Sequence, residues 1–211
     1  MTGKANSQRS EQKEATREQI LVAATKLLAR QGYAALRVAA VAKEAGVSLG
    51  GQLHHFPNKE SLVIAVLERL SARALDLAAR DASRGVTSED ILRLIADSAH
   101  RFYATPEFLI YLDIFLSVRR HTLVGDTATS LLLSQRTATE ALWVPHLTAR
   151  RLGPDEAILI IRTLWGLARG LAISSVREPE RQSSNQATVN FVINSLQQSC
   201  SIGSLAMAGS R

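Results

Sequence analysis

Apolar residues recur every three or four positions along most of this chain, which is the spacing of one face of an α-helix. The alternation of apolar and polar residues that a half-buried β-strand would show is absent from the sequence, and so are internal repeats. Ala and Leu supply most of the apolar content, and this favours helices over strands. The sequence therefore predicts an all-α fold of about nine helices.

Residues that start and stop helices divide this pattern into segments. Gly32 and Gly46 follow the first two segments, and Asn58 precedes the fourth as a candidate N-cap. We expect Thr87 to cap the fifth helix and Pro145 to kink or end the seventh. The predicted helices cover about residues 14–31, 37–45, 48–54, 59–82, 88–102, 106–120, 126–149, 154–177 and 185–200.

The two ends of the chain lack this pattern. Residues 1–12 are polar, and residues 203–211 are rich in Gly, Ser and Ala. Neither segment has enough apolar side chains to offset the entropy of folding, so we expect both to be disordered tails.

Residues 37–60 carry the most specific pattern. Two short helices are predicted there, joined by a turn that contains Gly46. Ala42 is small enough for the two helices to approach closely, and glycine tolerates the positive φ that such a turn needs. Val47 can fill the space between the helices. This arrangement is typical of a helix-turn-helix unit, whose second helix enters the major groove of DNA.

Positive charge is concentrated near this unit. Residues 1–60 contain nine Lys or Arg against five Asp or Glu, in a chain with a formal net charge of +6. A basic head suits a phosphate backbone as partner, although an ordinary solvated surface can have the same composition. Cys200 is the single cysteine, so an internal disulfide is impossible and a reducing compartment fits. The chain has no apolar signal segment and no unbroken apolar run of roughly 20 residues, so we expect a cytoplasmic protein without membrane contact.

The residues around the turn carry a resemblance to a known family. They read Val41-Ala42, Ala45-Gly46-Val47-Ser48, Gly50, His55-Phe56, Lys59 and Leu62. This pattern resembles the DNA-binding region of the TetR family of bacterial repressors, and the specific match runs from Ile20 to Val66. The remainder of the chain is similar to the family in length and helicity alone.

The resemblance implies that residues 48–54 form the recognition helix and that residues around it contact phosphates. Gln52 could pair bidentately with adenine, and Phe56 would pack inward. The implied DNA-binding residues are Arg17, Arg37, Ser48, Leu49, Gly50, Gly51, Gln52, His54, His55 and Lys59.

Two positions depart from the family pattern. Leu53 stands where members commonly have a tyrosine that contacts a phosphate, so it is either a core residue or an apolar contact to a thymine methyl group. Arg37 stands where a serine or threonine usually caps the second helix, and the missing cap costs about 1 kcal/mol of stability. Arg37 can offset part of this loss by binding a phosphate.

The resemblance also divides the chain into a helix-turn-helix DNA-binding domain at residues 13–58 and a helical ligand-binding and dimerisation domain at residues 59–202. The eighth predicted helix is apolar around much of its circumference, which requires partners on more than one side. In the family the last two long helices pair across a two-fold axis, which implies a homodimer on a palindromic operator; a purely monomeric core is the alternative. The implied seam residues are Leu164, Trp165, Ala168, Leu171, Val189, Ile193 and Leu196.

Family members usually enclose an apolar cavity in the second domain, and a small-molecule effector that binds there releases the DNA. The candidate lining residues suggest a largely apolar effector of unknown identity, although each would serve equally well in a core. They are Phe102, Phe108, Tyr111, Phe115, Trp143, His146 and Trp165. The resemblance implies a repressor without a cofactor.

Other interpretations fit less of the pattern. Adjacent residues of a helix point about 100° apart, so His54 and His55 do not share a metal-binding face. Phosphate-binding loops and the common catalytic motifs are absent from the sequence, which argues against an enzyme. The alternatives are a helix-turn-helix regulator without a small-molecule effector, and a helical carrier or enzyme without a role at DNA.

Overall fold

The computed structural model describes residues 2–86, 90–119, 121–176 and 182–199. All regular structure within these ranges is helical, which confirms the all-α prediction. A short 3-10 helix, Arg84–Val86, follows the fourth α-helix. The α-helices are α1 (Thr2–Ala35), α2 (Val38–Ala45), α3 (Leu49–His55), α4 (Lys59–Ser83), α5 (Ile91–Tyr103), α6 (Pro106–Ser117), α7 (Leu123–Thr148), α8 (Pro154–Ser175) and α9 (Gln182–Ser199).

Helix α1 begins at Thr2 and so includes the N-terminal segment for which the sequence predicted disorder. The side chains from position 7 to position 15 are exposed, so burial does not hold this part of the helix. The segment is rich in Glu, Gln, Lys and Ala, which favour helices, and Ser7 Oγ donates to Glu11 Oε1 at 2.8 Å. Gly32, with a φ of 75°, interrupts the helix near its other end, and the predicted tail at residues 203–211 lies outside the described residues.

Side-chain caps fix the starts of three helices. Ser48 Oγ accepts from the N–H of Gly51 at 3.0 Å, and Asn58 Oδ1 accepts from the N–H of Ser61 at 2.7 Å. The cap of α5 is Asp90, whose Oδ1 accepts from the N–H of Arg93 at 3.0 Å. Asp90 and not Thr87 is therefore the N-cap, so α5 begins later than predicted; Thr87 itself lies outside the described residues.

Contacts divide the chain into two units, and the first comprises Met1–Ala72 and Pro106–Leu133. Within it α1 packs against α2 and α6, and α2 packs against α3. This unit therefore extends beyond the residues 13–58 predicted for a DNA-binding domain. Its core, which supports the helix-turn-helix, includes Ile20, Leu21, Val41, Leu62, Val63, Val66 and Ile114.

The second unit comprises Arg73–Thr105 and Ser134–Arg211. Within it α5 packs against α8, and α9 packs against both. Pro145 lies inside α7, which continues to Thr148, so the proline does not end the helix early. The core of this unit includes Ile91, Ile95, Trp143, Leu147, Ile160, Ile161, Leu164 and Ile193.

Helix α8 is long and apolar enough to cross a membrane by length and composition, with a mean hydropathy of 1.5. The sequence prediction did not find it because Arg162 and Arg169 interrupt its apolar runs. A packing helix of a soluble protein meets the same criterion, and one face of α8 carries core residues such as Ile161. Because 28% of this apolar window is buried inside the chain, much of its surface faces outward.

Candidate nucleic-acid interface

The turn between α2 and α3 depends on the backbone of Gly46. This residue has a φ of 69° and a ψ of 25°, in the left-handed region that glycine adopts without strain. Its N–H donates to Lys43 O at 3.2 Å, and the N–H of Val47 donates to Ala42 O at 3.0 Å. These bonds end α2 and direct the chain into α3.

Helix α2 starts without a side-chain cap, as the sequence predicts. Arg37 occupies the N-cap position, and its Nη1 donates to Ala34 O at 2.9 Å and Leu36 O at 3.1 Å. The residue is exposed, and a guanidinium has five N–H donors. Arg37 thus has further donors that can reach a phosphate.

Helix α3 presents small and apolar residues outward. Leu49 and Leu53 are 46% and 40% exposed, and a Cβ added at Gly50 would meet nothing within 4 Å. The exposure of Leu53 excludes the interpretation that it is a core residue. Gly51 is small for another reason, because a Cβ there would lie 3.1 Å from Ser48 Oγ, the atom that caps α3.

Gln52 faces the opposite way, which corrects its predicted contact with adenine. The residue is 0% exposed, and neither its Nε2 nor its Oε1 has a hydrogen-bond partner among the described residues. An amide in this position cannot reach a base edge without a change in the helix. The sequence misled because α3 has polar or small residues on most sides, so no apolar stripe marks its inner face.

The last turn of α3 places His54 outward and Phe56 inward. Phe56 is 4% exposed, and the Arg17 guanidinium lies 5.4 Å from the centroid of its ring. Burial lowers the pKa of His55, and the charges of His54, Lys13 and Arg17 lower it further. The nearby carboxylate of Glu14 raises the pKa of His55 in part, so basic groups of α1 and α3 outweigh one acidic group there. Within the described residues neither histidine belongs to a group of three or more potential metal ligands.

Lys59 begins α4 and is held by the end of α1. Its Nζ donates to Tyr33 O at 2.6 Å and lies 4.2 Å from the centroid of the Tyr33 ring. Burial and the charge of Arg37 lower its pKa. The N–H of Tyr33 in turn donates to Asp113 Oδ2 on α6 at 2.6 Å. Because an ammonium group has three donors, Lys59 can contact a phosphate and keep its bond to Tyr33.

Sequence reasoning missed a set of residues on α1 that face the end of α3. Together with His54 and His55 they line an open groove of about 530 Å³, and they are Arg9, Ser10, Gln12, Lys13 and Thr16. The signal that could have identified them is the spacing of Arg9 and Lys13, since basic residues four positions apart share one face of a helix.

Residues 20–66 match the family model described as bacterial regulatory proteins, tetR family. The match covers the part of α1 that carries core residues, the whole helix-turn-helix and the start of α4. The chain belongs to the TetR family of bacterial regulators. A curated relative, the HTH-type transcriptional regulator CymR of Pseudomonas putida, is 29% identical over 167 residues, which cover 79% of this chain and 82% of that protein.

Solved structures share the TetR-family fold over most of the chain. A TetR-family regulator from Mesorhizobium loti has a TM-score of 0.73 at 17% identity and covers 88% of this chain and 96% of that one. Bacillus subtilis FadR in complex with stearoyl-CoA has a TM-score of 0.62 at 17% identity and covers 85% of this chain and 96% of that one. This TetR-family chain is a DNA-binding transcriptional regulator and not an enzyme.

Three of the predicted ligand-lining residues of this TetR-family regulator belong to its first unit. Phe108 is buried, and Phe115 is 42% exposed. Tyr111 is a core residue whose hydroxyl donates to Ala128 O, and burial raises its pKa to about 12. The side chain of Tyr111 is thus already packed and bonded within this unit.

The other four ligand-lining candidates belong to the second unit. The ring centroids of Phe102 and Trp165 are 6.0 Å apart, and those of Trp143 and His146 are 6.1 Å apart. The Nε1 atoms of Trp143 and Trp165 are buried and have no hydrogen-bond partner among the described residues. Burial and the charge of Arg150 lower the pKa of His146, which favours its neutral form.

The seam residues predicted for the dimer do not all face outward. Leu164, Ala168 and Ile193 are 1%, 5% and 1% exposed, so the core of the second unit already covers them. A partner cannot reach these three side chains, and the prediction needs correction there. Trp165, Leu171, Val189 and Leu196 keep part of their surface exposed.

Proposed function

We propose that this regulator is a homodimeric repressor that binds a palindromic operator through α3 and releases it when a small, largely apolar ligand binds the second unit. The observation that carries the proposal is the exposed face of α3, formed by Leu49, Gly50 and Leu53. A face of this kind, held in place by the turn at Gly46, suits a major groove about 12 Å wide.

In this proposal the outward residues of α3 contact bases and the residues around it contact phosphates. Leu49 and Leu53 lie one helical turn apart on one face, where their side chains can contact thymine methyl groups. Ser48, Gly50, Gly51 and His54 complete the surface that faces the bases. The phosphate contacts come from Arg17, Arg37, His55 and Lys59, of which Lys59 is positioned by Tyr33.

The outward face of α8 supports a homodimer. Small or apolar residues recur on it every three or four positions, and they include Leu159, Gly166, Gly170 and Ile173. Leu159 is 63% exposed and Ile173 is 44% exposed, while a Cβ added at either glycine would meet nothing within 4 Å. Two helices can approach closely where such small residues meet, because side-chain size sets the distance between their axes.

Helix α9 adds to the same case. Phe191 is 73% exposed and gives α9 a large apolar side chain that a partner can cover. A dimer also matches the geometry of DNA, because two recognition helices about 34 Å apart read successive major grooves of a palindrome. We therefore propose a seam formed by the outward faces of α8 and α9.

The aromatic residues of the second unit support a ligand site there. Phe102, Trp143 and Trp165 supply apolar surface, and the two unpartnered indole N–H groups can donate to an acceptor on the ligand. The presence of stearoyl-CoA in Bacillus subtilis FadR shows that a protein of this fold binds a ligand with a long apolar chain. For this chain we propose a largely apolar molecule that carries at least one hydrogen-bond acceptor.

Selection of duplexes from a random library, followed by mobility-shift titration, tests the proposal. We expect a palindromic duplex bound by two chains, and we expect apolar molecules from a screen to release it and change the fluorescence of the two tryptophans. Failure to select any duplex would refute the role of α3. Selection of a duplex that no ligand releases would favour a regulator without a small-molecule effector.

A further inference from the structure

The groove between the first turns of α1 and the end of α3 joins the proposed interface. One wall consists of Arg9, Lys13 and their polar neighbours, and the other consists of His54 and His55, which end the recognition helix. A surface that begins on α3 therefore continues without a break onto α1.

The first turns of α1 are sorted by charge around the helix axis. At about 100° per residue, Gln12, Lys13 and Thr16 lie within roughly 60° of Arg9. The acidic side chains Glu11 and Glu18 lie about 180° to 200° from Arg9, on the far side of the helix, whereas Glu14 lies at about 140° and is near enough to His55 to raise its pKa. Glu14 Oε1 lies 3.6 Å from Arg17 Nη1, and Glu18 pairs with Arg69, so both carboxylates already have basic partners.

Positions 7 to 14 of α1 carry only polar side chains, and all of these are exposed. A helix that is polar all round gains little from packing on its own protein, so its surface stays open to a polar partner. The surface that faces the groove is basic, so the complementary occupant is an anion.

We propose that the groove formed by Arg9, Lys13, His54 and His55 binds a backbone phosphate of the operator, beside the base pairs that α3 contacts. The inference rests on the proposed function, because it takes the DNA on α3 as given. It adds the first turns of α1 to the surface of each chain that contacts DNA. These turns lie outside the residues that match the family model. Arg9 and Lys13 supply affinity without sequence preference, since phosphates carry no base information.

Salt dependence measures such contacts directly. The test compares the wild-type chain with Arg9→Ala/Lys13→Ala on the duplex that the wild-type chain selects, over a series of salt concentrations. The slope of log K against log salt should become shallower by about 0.9 for each phosphate contact that is lost, which is about 2 for a dimer with one such contact in each chain. The selected sequence should stay the same.

Two further variants make the result specific. Arg136→Ala/Arg151→Ala removes the same charge from exposed positions of the second unit and should keep the wild-type slope. Arg9→Lys/Lys13→Arg keeps both cations and should restore most of the slope. An unchanged slope in Arg9→Ala/Lys13→Ala, or an equal change in the second-unit control, would overturn the inference. If the wild-type chain selects no duplex at all, the proposed function itself fails.

Discussion

The side chains of Leu49 and Leu53 have no hydrogen-bonding atoms, so they can recognise a base only through an apolar group. Thymine offers a methyl group in the major groove, and deoxyuridine has the same hydrogen-bonding edge without it. Replacing a thymine beneath these residues by deoxyuridine should weaken binding about fourfold, the equivalent of roughly 0.8 kcal/mol for one buried carbon group. Mobility-shift titration of the matched duplexes measures this ratio.

The variant Leu53→Ala provides the control for this prediction. It should bind the thymine duplex less tightly and lose much of its sensitivity to deoxyuridine at the position that Leu53 covers. The coupling between protein and base substitutions then identifies the pair in contact. Equal binding of both duplexes by the wild-type chain would show that α3 does not read methyl groups.

We expect Gln52 to lower the stability of the fold and to contribute nothing to the choice of DNA sequence. A buried amide without partners loses its bonds to water and gains none, at a cost of about 1–3 kcal/mol. Gln52→Met keeps a similar chain length without the polar atoms, so we expect the free energy of unfolding to rise by about 1 kcal/mol in denaturant titration. Operator affinity should stay unchanged, whereas a large loss of affinity would restore Gln52 to the interface.

The sequence could locate α3 but not its inner face. The usual rule places apolar residues inside, and α3 reverses it with exposed Leu53 and buried Gln52. A helix of two turns offers too few positions for periodicity to reveal its facing. Where the sequence dictates backbone geometry, as at Gly46 or the cap at Asn58, prediction and structure agree.

At the scale of the element, Gly46 in the turn and Gly50 in α3 should respond in opposite ways to replacement by alanine. Both Gly46 and Gly50 have open space where a Cβ would be, so the difference between them is conformational. Gly46→Ala forces an L residue into the left-handed region and should destabilise the fold by about 1–2 kcal/mol. Gly50→Ala should stabilise it by about 0.5–1 kcal/mol, because alanine favours a helix. Thermal unfolding of the two variants measures the sign of each change in stability. Equal shifts of the unfolding midpoint would show that the left-handed conformation of Gly46 does not matter to the fold.

The elements that the sequence located least well are those that owe little to burial. Apolar periodicity reports packing, and the first turns of α1 pack against nothing apolar, so their helix was not predicted. Helix α5 was misplaced at its start because Thr87 and Asp90 are both acceptable caps, and only the structure selects Asp90.

At the scale of the whole molecule, the sequence could predict that α8 needs partners on more than one side. It could not assign which residues face the core and which face a second chain, because apolar residues surround α8. The structure resolves the choice, because α8 packs against α5 and α9 with Leu164 and Ala168 buried. The residues left exposed on the opposite face, such as Leu159, are those that a partner can cover.

Two exposed apolar side chains distinguish a dimer seam from a merely apolar surface. Phe191 on α9 is 73% exposed, and Leu116 on α6 is 72% exposed, so a glutamate meets similar solvent at either position in one chain. In a dimer joined through α8 and α9, Phe191→Glu buries a charge at the seam, where an unpaired ion costs several kcal/mol. We expect this variant to sediment as a monomer and to lose operator affinity, because the α3 helix of one chain contacts too few base pairs.

The control variant, Leu116→Glu, should sediment as the wild-type dimer and bind the operator normally. If both variants stay dimeric, the seam lies elsewhere; if both dissociate, the loss reflects surface charge and not the seam.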